Sequence, residues 1–262
     1  MGLGMVQYRQ RGGKPVELLR GDCMELLPEI PEKSVDMVLC DLPYGTTECK
    51  WDHVLPMETL WREYRRILKP NGAAVLFAAQ PFTTALIGSN RKEFRYCWYW
   101  KKNYKTGAPF ARVQPMRCIE DICVFYRKKP TYNPQGLVKL DKPIYKAPAP
   151  TSIYQMRGNG SIQLYTNYPH HLLEFDGVAM GPNRKHPTQK PVPLLEYLVK
   201  TYTNLGETVL DNCMGSGSTG VACIRTGRRF IGMEKDPQFF QVAQKRLKEE
   251  SDKDNLVAGQ TE

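Results

Sequence analysis

Two hydrophobic periods alternate along the chain, and each change of period marks an element. VELLR (16–20) and VDMVLC (35–40) are short apolar runs that predict buried strands, the first ending at Gly21-Asp22. LPMETLWREYRRILKPNG (55–72) carries apolar residues at helical spacing, Leu60, Tyr64, Ile67 and Leu68, and Pro70-Asn71-Gly72 predicts its end. AAVLFAA (73–79) reads as a strand and PFTTALIGS (81–89) as a helix with proline in its first turn. FRYCWYW (94–100) and DICVFY (121–126) predict strands rich in aromatic and β-branched residues. From about 130 to 182 the pattern breaks into Pro, Gly, Asn and Tyr. Order returns with a helix over 191–203, a strand over 207–212, a glycine turn and a helix from Ser218, a strand over 228–234 and a helix over 236–250. Strands alternating with helices predict an α/β fold, a Rossmann-like doubly wound sheet with helices on both faces.

The length of 262 residues suits one such domain with a small insertion. No run approaches the ~18 uninterrupted apolar residues of a membrane span. The start MGLGMVQYRQRGGK has neither a hydrophobic signal core nor the Ser or Thr of a myristoylation motif. A cytoplasmic, intracellular protein is expected. None of the eight cysteines forms a C-x-x-C pair, and no ligand spacing surrounds the four histidines. Reduced, mostly buried thiols are therefore expected, with no metal.

Charge changes the picture more. The formal net charge is +10, and residues 91–190 hold 18 Lys and Arg against 6 Asp and Glu. Basic charge concentrated in one stretch, interleaved with Tyr, Trp, Gln and Asn, fits a surface for a polyanion.

Three short segments carry candidate chemistry. DLPYG (41–45) follows directly on a strand, where an open α/β sheet exposes its ligand-binding side chains. Asp41 offers an acceptor, Pro43 fixes the direction of the Leu42 carbonyl, and Tyr44 offers a flat face. An acceptor pair beside a ring suits a nucleobase amino group, although a strand exit with a capping acid has the same residues. Next, TVLDN leads into CMGSGSTG, whose Gly215, Gly217 and Gly220 match G-x-G-x-x-G between a strand and a helix. Glu234 ends the following strand, at a spacing that suits a ribose. Asp211 before the turn would repel a pyrophosphate and attract an ammonium, which favours S-adenosylmethionine over NAD. Third, HPTQKP (186–191) opens a helix, where Lys190 and backbone N–H groups suit an anion.

Together these segments resemble the amino-methyltransferase family of DNA-modifying enzymes, beta group, specific for adenine N6 or cytosine N4. DLPYG is similar to the D-P-P-Y motif, CMGSGST to F-x-G-x-G, and HPTQKP to the family's sequence at that place. The catalytic motif precedes the cofactor motif, which is the circularly permuted order of that group. The lead-in GDCMELLPEIPEKSVDMVLC and the segment NYPHHLLEF also match, so the resemblance spans roughly 16–129 and 165–250. Departures are Leu42 for the first proline, and Cys213 and Met214 before the glycines.

The resemblance implies that residues 1–129 form a catalytic half, 130–182 an inserted target-recognition region and 183–262 a cofactor half. It implies a catalytic set of Asp41, Leu42, Pro43 and Tyr44, with Asp41 and the Leu42 carbonyl accepting the amino protons and Tyr44 stacking on a flipped base. Asp211, Met214, Gly215, Gly217 and Ser218 would hold the methionine part of S-adenosyl-L-methionine, Glu234 the ribose, and Asp22 would lie near the adenine. Thr188 and Lys190 would approach the carboxylate. The acid at the head of the tetrapeptide favours adenine over cytosine by analogy. Double-stranded DNA is the implied partner in the nucleoid of a prokaryotic or phage-infected cell; a homodimer and a separate restriction endonuclease are compatible with it. Rival readings are an NAD-dependent oxidoreductase, a silent DNA-binding protein on the same scaffold, and methylation of RNA or a protein glutamine.

Overall fold

The computed structural model describes residues 4–9, 15–45, 53–146, 160–178 and 189–258. In chain order the strands are β1 (Gly4–Arg9), β2 (Pro15–Arg20), β3 (Val35–Asp41), β4 (Leu68–Ala78), β5 (Phe94–Thr106), β6 (Arg117–Phe125), β7 (Val138–Lys146), β8 (Ser161–Thr166), β9 (Leu172–Glu174), β10 (Thr208–Asp211) and β11 (Arg229–Glu234). The helices are α1 (Cys23–Leu26), α2 (Met57–Ile67), α3 (Phe82–Ser89), α4 (Val192–Tyr202), α5 (Ser218–Arg225) and α6 (Pro237–Ala258). The chain divides into two compact units, residues 1–133 with 171–262, and residues 134–170.

The larger unit is built on a nine-stranded sheet in the order β1-β2-β11-β10-β3-β4-β6-β5-β9. From β2 to β4 every neighbouring pair is parallel, whereas β6 runs antiparallel to both β4 and β5. Strands from the two ends of the sequence interleave: β10 and β11 lie between β2 and β3. Connections leave β3 towards β4 and β10 towards β11, so the two central neighbours form a topological switch point. Ligands of open α/β sheets sit outside the carboxyl ends of strands at such a point. Here those ends are Asp41 and Asp211.

The period of two explains why the central strands are apolar throughout. Met37 and Leu39 of β3 join Val75 and Phe77 of β4 in one core, with α4, α5 and α6 residues such as Leu198, Val221 and Leu247. Val38, Cys40 and Leu76 face the opposite core with Leu60, Trp61, Tyr64 and Ile67 of α2. Each such buried Leu or Met contributes roughly 1.5–3 kcal/mol, so the sheet is fixed from both faces. Asp36 ties three central strands: its carboxylate accepts from Lys69 Nζ at 2.7 and 2.9 Å and from Thr208 N at 2.9 Å.

The predicted strands and helices form, with shifted ends. α2 stops at Ile67, because Leu68 already pairs with Val35 and begins β4 through the Pro-Asn-Gly stretch. β5 runs six residues beyond the predicted Trp100. The region expected to be separate, 130–182, is wider than the second unit. Residues 130–133 and 171–178 belong to the larger unit, where Leu172–Glu174 pairs with Tyr99–Lys101 of β5.

The second unit is an antiparallel ribbon of β7 and β8. Its strands are exposed along their length, with only Leu140 and Gln163 half-buried. Among the described residues no helix is long and apolar enough to cross a membrane.

Candidate active site

A cleft of about 1330 Å³ opens along the carboxyl ends of the strands and is lined by Asp22, Asp41, Tyr44, Lys190, Asp211 and Glu234, among others. That exceeds the roughly 300–1,000 Å³ of a single-ligand pocket, so two ligands can meet in it.

At one end lies DLPYG. Asp41 is the last residue of β3, and the side chain of Leu42 is buried in the α2-side core, so the chain turns there with Tyr44 in the cleft. Tyr44 Oη donates to Asp41 Oδ1 at 2.7 Å and lies 3.3 Å from Glu120 Oε1. Phe82 of α3 stacks on the Tyr44 ring, with centroids 5.0 Å apart and planes inclined by 19°. The ammonium of Lys190 bonds directly to Asp41 Oδ2 and lies 3.0 Å from Glu120 Oε1. Glu120 also accepts from Lys102 Nζ at 2.6 Å. Lys190 Nζ sits 5.0 Å above the Phe77 ring, and Lys102 Nζ 5.1 Å from the Trp100 ring centroid.

Asp41, Lys190, Glu120 and Tyr44 close a ring, flanked by Lys102 on Glu120, in which Glu120 and Lys190 are buried and Asp41 and Tyr44 half-buried. Burial pushes the Asp41 carboxyl above its ordinary range and Glu120 pushes the same way, while Lys190 and Tyr44 oppose. For Glu120, burial also raises, but Lys190 and Lys102 outweigh it and hold that carboxyl below its usual value. For Lys190, burial disfavours the charge, yet Asp41 and Glu120 hold its pKa above the ordinary lysine value. Each Asp41 oxygen gives one acceptor position to the protein and keeps another for a ligand.

At the other end lies the glycine turn. Asp211 is 4 % exposed; its Oδ1 accepts from Cys213 N at 3.1 Å and its Oδ2 from Thr219 Oγ1 at 2.6 Å. Burial pushes its carboxyl up to about 6, with those two donors pulling the other way. Gly215 N donates to Glu234 Oε2 at 2.8 Å, and Asp236 N to Oε1 at 2.8 Å. Burial raises the Glu234 carboxyl against these bonds. Gly217 caps α5 at φ 76°, a left-handed backbone that favours glycine. Asp22 caps α1 by accepting from Met24 N at 2.9 Å and pairs with Lys235 at 2.8 Å, which lowers its pKa. Gly21 N bonds to Glu234 O at 3.0 Å, so Asp22 stands beside the end of β11.

The structure thus gathers Asp22, Asp41, Leu42, Pro43, Tyr44, Lys190, Asp211, Met214, Gly215, Ser218 and Glu234 around one cleft. Their surroundings differ from expectation at three places. Lys190, expected to approach the cofactor carboxylate, is engaged by the protein's own carboxylates Asp41 and Glu120. Ser218 Oγ takes a bond from Arg246 at 2.9 Å. Met214 is 5 % exposed and belongs to the core. Thr188 lies outside the described residues. Sequence reading missed Glu120 and Lys102; the only signal was an acid at the head of a predicted strand.

Comparison with known proteins places these features. The DNA methylase family model for N6/N4 methyltransferases matches residues 35–245. The DNA adenine methyltransferase YhdJ of Escherichia coli (strain K12) is 27% identical over 254 residues, covering 90% of this chain and 84% of its own. The M1.HpyAVI–SAM complex shares the fold with a TM-score of 0.64 and 23% identity, over 88% of this chain and 98% of its own. The PvuII DNA methyltransferase (cytosine-N4-specific) shares it with a TM-score of 0.67 and 16% identity, over 97% and 96%. The family match spans the strand that ends in Asp41, the strand that ends in Asp211, the glycine turn after it and the strand that ends in Glu234, and the chain belongs to the DNA methylase family of N6/N4 methyltransferases.

Proposed function

We propose that this protein transfers a methyl group from S-adenosylmethionine to the exocyclic N6 of adenine in duplex DNA, after the base has swung out into the cleft. One observation carries the reading: the acceptor Asp41 and the carboxylates Asp211 and Glu234 face a single cavity large enough for two ligands.

The donor set suits the cofactor. Glu234 keeps one acceptor position on each oxygen for the two ribose hydroxyls. Asp211, above its pKa of about 6 at neutral pH, supplies a negative charge for the methionine ammonium. Gly215 leaves the turn open beside it, Gly217 caps α5 with its α-carbon against α6, Met214 and Ser218 line the same turn, and Asp22 stands towards the adenine. When bound, the cofactor supplies an electrophilic methyl group. Lys190 is not free to pair with the cofactor carboxylate while it holds Asp41, so its role here is that of counter-ion to the catalytic acid.

An exocyclic amine is a poor nucleophile because its lone pair is delocalised into the ring. Asp41 accepts one amino proton and the Leu42 carbonyl the other, which draws the nitrogen towards tetrahedral and directs its lone pair at the methyl carbon. The N–C bond would form as the methyl–sulfur bond breaks, its electron pair going to sulfur and leaving a neutral thioether; the nitrogen becomes cationic, and its proton passes to Asp41 or to water. Positioning and fixed polar groups supply the rate. Pro43 holds the turn, and Tyr44, backed by Phe82, offers its ring to the base and offsets part of the unstacking cost. Residues 134–170 are the proposed target-recognition unit, since a two-stranded ribbon fits the major groove.

Methyl-labelled cofactor with unmodified duplex DNA tests this. Label should appear as N6-methyladenine with the native protein and vanish with Asp41→Ala. Label in cytosine would replace the base assignment by N4-cytosine and keep the mechanism; no label with the cofactor bound would overturn the reaction.

A further inference from the structure

Beyond Trp100, β5 leaves the core. Lys101, Asn103, Tyr104, Lys105 and Thr106 are exposed, and Thr106 pairs with Arg117 at the start of β6. The connection is an ordered knob. Gly107 turns the chain at φ 91°, Phe110 N bonds to Gly107 O at 3.0 Å, and Val113 N and Gln114 N bond to Phe110 O at 2.9 and 3.0 Å. On this knob Phe110 is 56 % exposed and Val113 83 %. Tyr104 and Ile119 on the flanking strands are exposed as well. Residues 101–117 contain five Lys and Arg and no Asp or Glu. At the base of the same projection, Lys102, Asn103, Tyr104 and Thr106 line the cleft.

An apolar tip held out by hydrogen bonds costs free energy unless something covers it. The charge selects the cover. Lys101 pairs with Glu174 and Lys102 with Glu120, so Lys105, Arg112 and Arg117 carry the charge nearest the tip. A nucleic acid offers phosphates for these three and stacked bases for the apolar tip. The rim of a cleft that must admit an extruded base is also where the gap in the stack opens.

We propose that Phe110 and Val113 form a wedge that enters the duplex at the target base pair, with Lys105, Arg112 and Arg117 on the flanking phosphates. Apolar side chains inserted at a base step hold it unstacked in this way. The wedge fills the space left by the base, while Asp41 and Tyr44 receive the base itself. The proposal rests on the DNA reading above but is tested apart from it.

The test uses Phe110→Ala/Val113→Ala, whose side chains are at the surface, and a duplex recovered by selecting tight binders from a random-sequence pool. Base extrusion is read by 2-aminopurine fluorescence at the target, and methyl transfer by label. Two versions of the duplex are compared, one with the target paired and one with it opposite an abasic site. The double variant should lose about tenfold in kcat/KM and most of the fluorescence rise on the paired duplex, and less than about twofold on the unpaired one, where no pair needs opening. Equal loss on both duplexes, or no loss on either, overturns the wedge. So does a variant that turns from dimer to monomer in sedimentation with extrusion unchanged, since a second copy is then the cover. A wild type that extrudes the base without transferring label overturns the proposed reaction and supports the wedge. A wild type that selects no duplex overturns both.

Discussion

Lys190 and Asp41, 149 residues apart in sequence, form a direct ion pair in the cleft. Glu120 holds the other side of the same ammonium at 3.0 Å. The acid proposed to accept an amino proton is therefore favoured in its ionised form by a cation anchored in the lead-in to α4. Tyr44, Lys102 and, from the neighbouring strand end, Asp211 complete the charged and titratable groups around it.

Two substitutions should move the pH dependence of methyl transfer in opposite directions. Lys190→Met removes the group that lowers the Asp41 pKa, so ionisation of Asp41 needs a higher pH. The acid limb of kcat should then shift up by about 1–3 units, the range of one close opposite charge. Glu120→Gln removes a like charge that raises the Asp41 pKa, and the acid limb should shift down. A merely structural role for either residue would lower kcat equally at all pH values. Full pH–rate profiles of both variants decide, and shifts of the same sign would refute the counter-ion role.

Tyr44 has two separable parts. Tyr44→Phe keeps the ring against Phe82 and removes only the hydroxyl, with its 2.7 Å bond to Asp41 and its 3.3 Å contact with Glu120, so kcat should fall a few-fold with KM for DNA little changed. Tyr44→Ala also removes the stacking face, worth about 1–3 kcal/mol per base, and should cost roughly a further 5- to 150-fold in kcat/KM. Steady-state kinetics on one duplex separates the two.

How legible the molecule was follows from how local each signal is. The runs at 35–40 and 73–79 are buried on both faces, so their apolar character announced strands, whereas 207–212 was legible from Val209 and Leu210 before the glycine turn; DLPYG and that turn were local motifs at strand ends. Glu120 and Lys102 reach the site through the antiparallel pairing of β5 with β6, where Trp100 stands opposite Glu120. No spacing in sequence encodes that register. Lys190 was legible as a cation at a helix start, but its partner was not, because β3 and the lead-in to α4 meet only in the folded chain. β7 and β8 escaped because an exposed ribbon has no core-facing alternation to read. β1 is a short edge strand, and its register with β2 was equally silent.

Gly217 links the turn to the packing beneath it. Its φ of 76° is left-handed, and a Cβ there would stand 3.1 Å from Ala243 Cβ on α6. Gly217→Ala should cost about 1–2 kcal/mol from the backbone alone, which lowers Tm by roughly 2–8 °C for a chain of this size. Ala243→Gly in the same chain relieves the contact but not the φ, and a glycine inside α6 adds about 1 kcal/mol of its own, so the double variant should not regain the wild-type Tm. Thermal denaturation of the two variants measures the division.

Asp211 sets function against stability. Its carboxyl is pushed up to about 6 by burial, whereas an unfolded aspartate titrates near 3.8. Above pH 6 the folded protein carries the cost of a buried charge, of the order of 2–3 kcal/mol for about two pKa units. As pH falls from 6 towards 4 the folded state takes up a proton before the unfolded state does, and that cost disappears. Asp211→Asn keeps an oxygen for Cys213 N and an amide that can donate to Thr219 Oγ1. At pH 7 the variant should therefore unfold at a higher temperature than the wild type, with the difference closing towards pH 4. The same change removes the charge proposed for the methionine ammonium, so cofactor affinity should fall at least tenfold. In the wild type, the cofactor Kd should rise about tenfold between pH 7 and pH 5, because binding needs the ionised form. In the variant that dependence should be flat. Calorimetric titration of S-adenosylmethionine across this range measures it, and an unchanged pH dependence in the variant would move the ammonium away from Asp211.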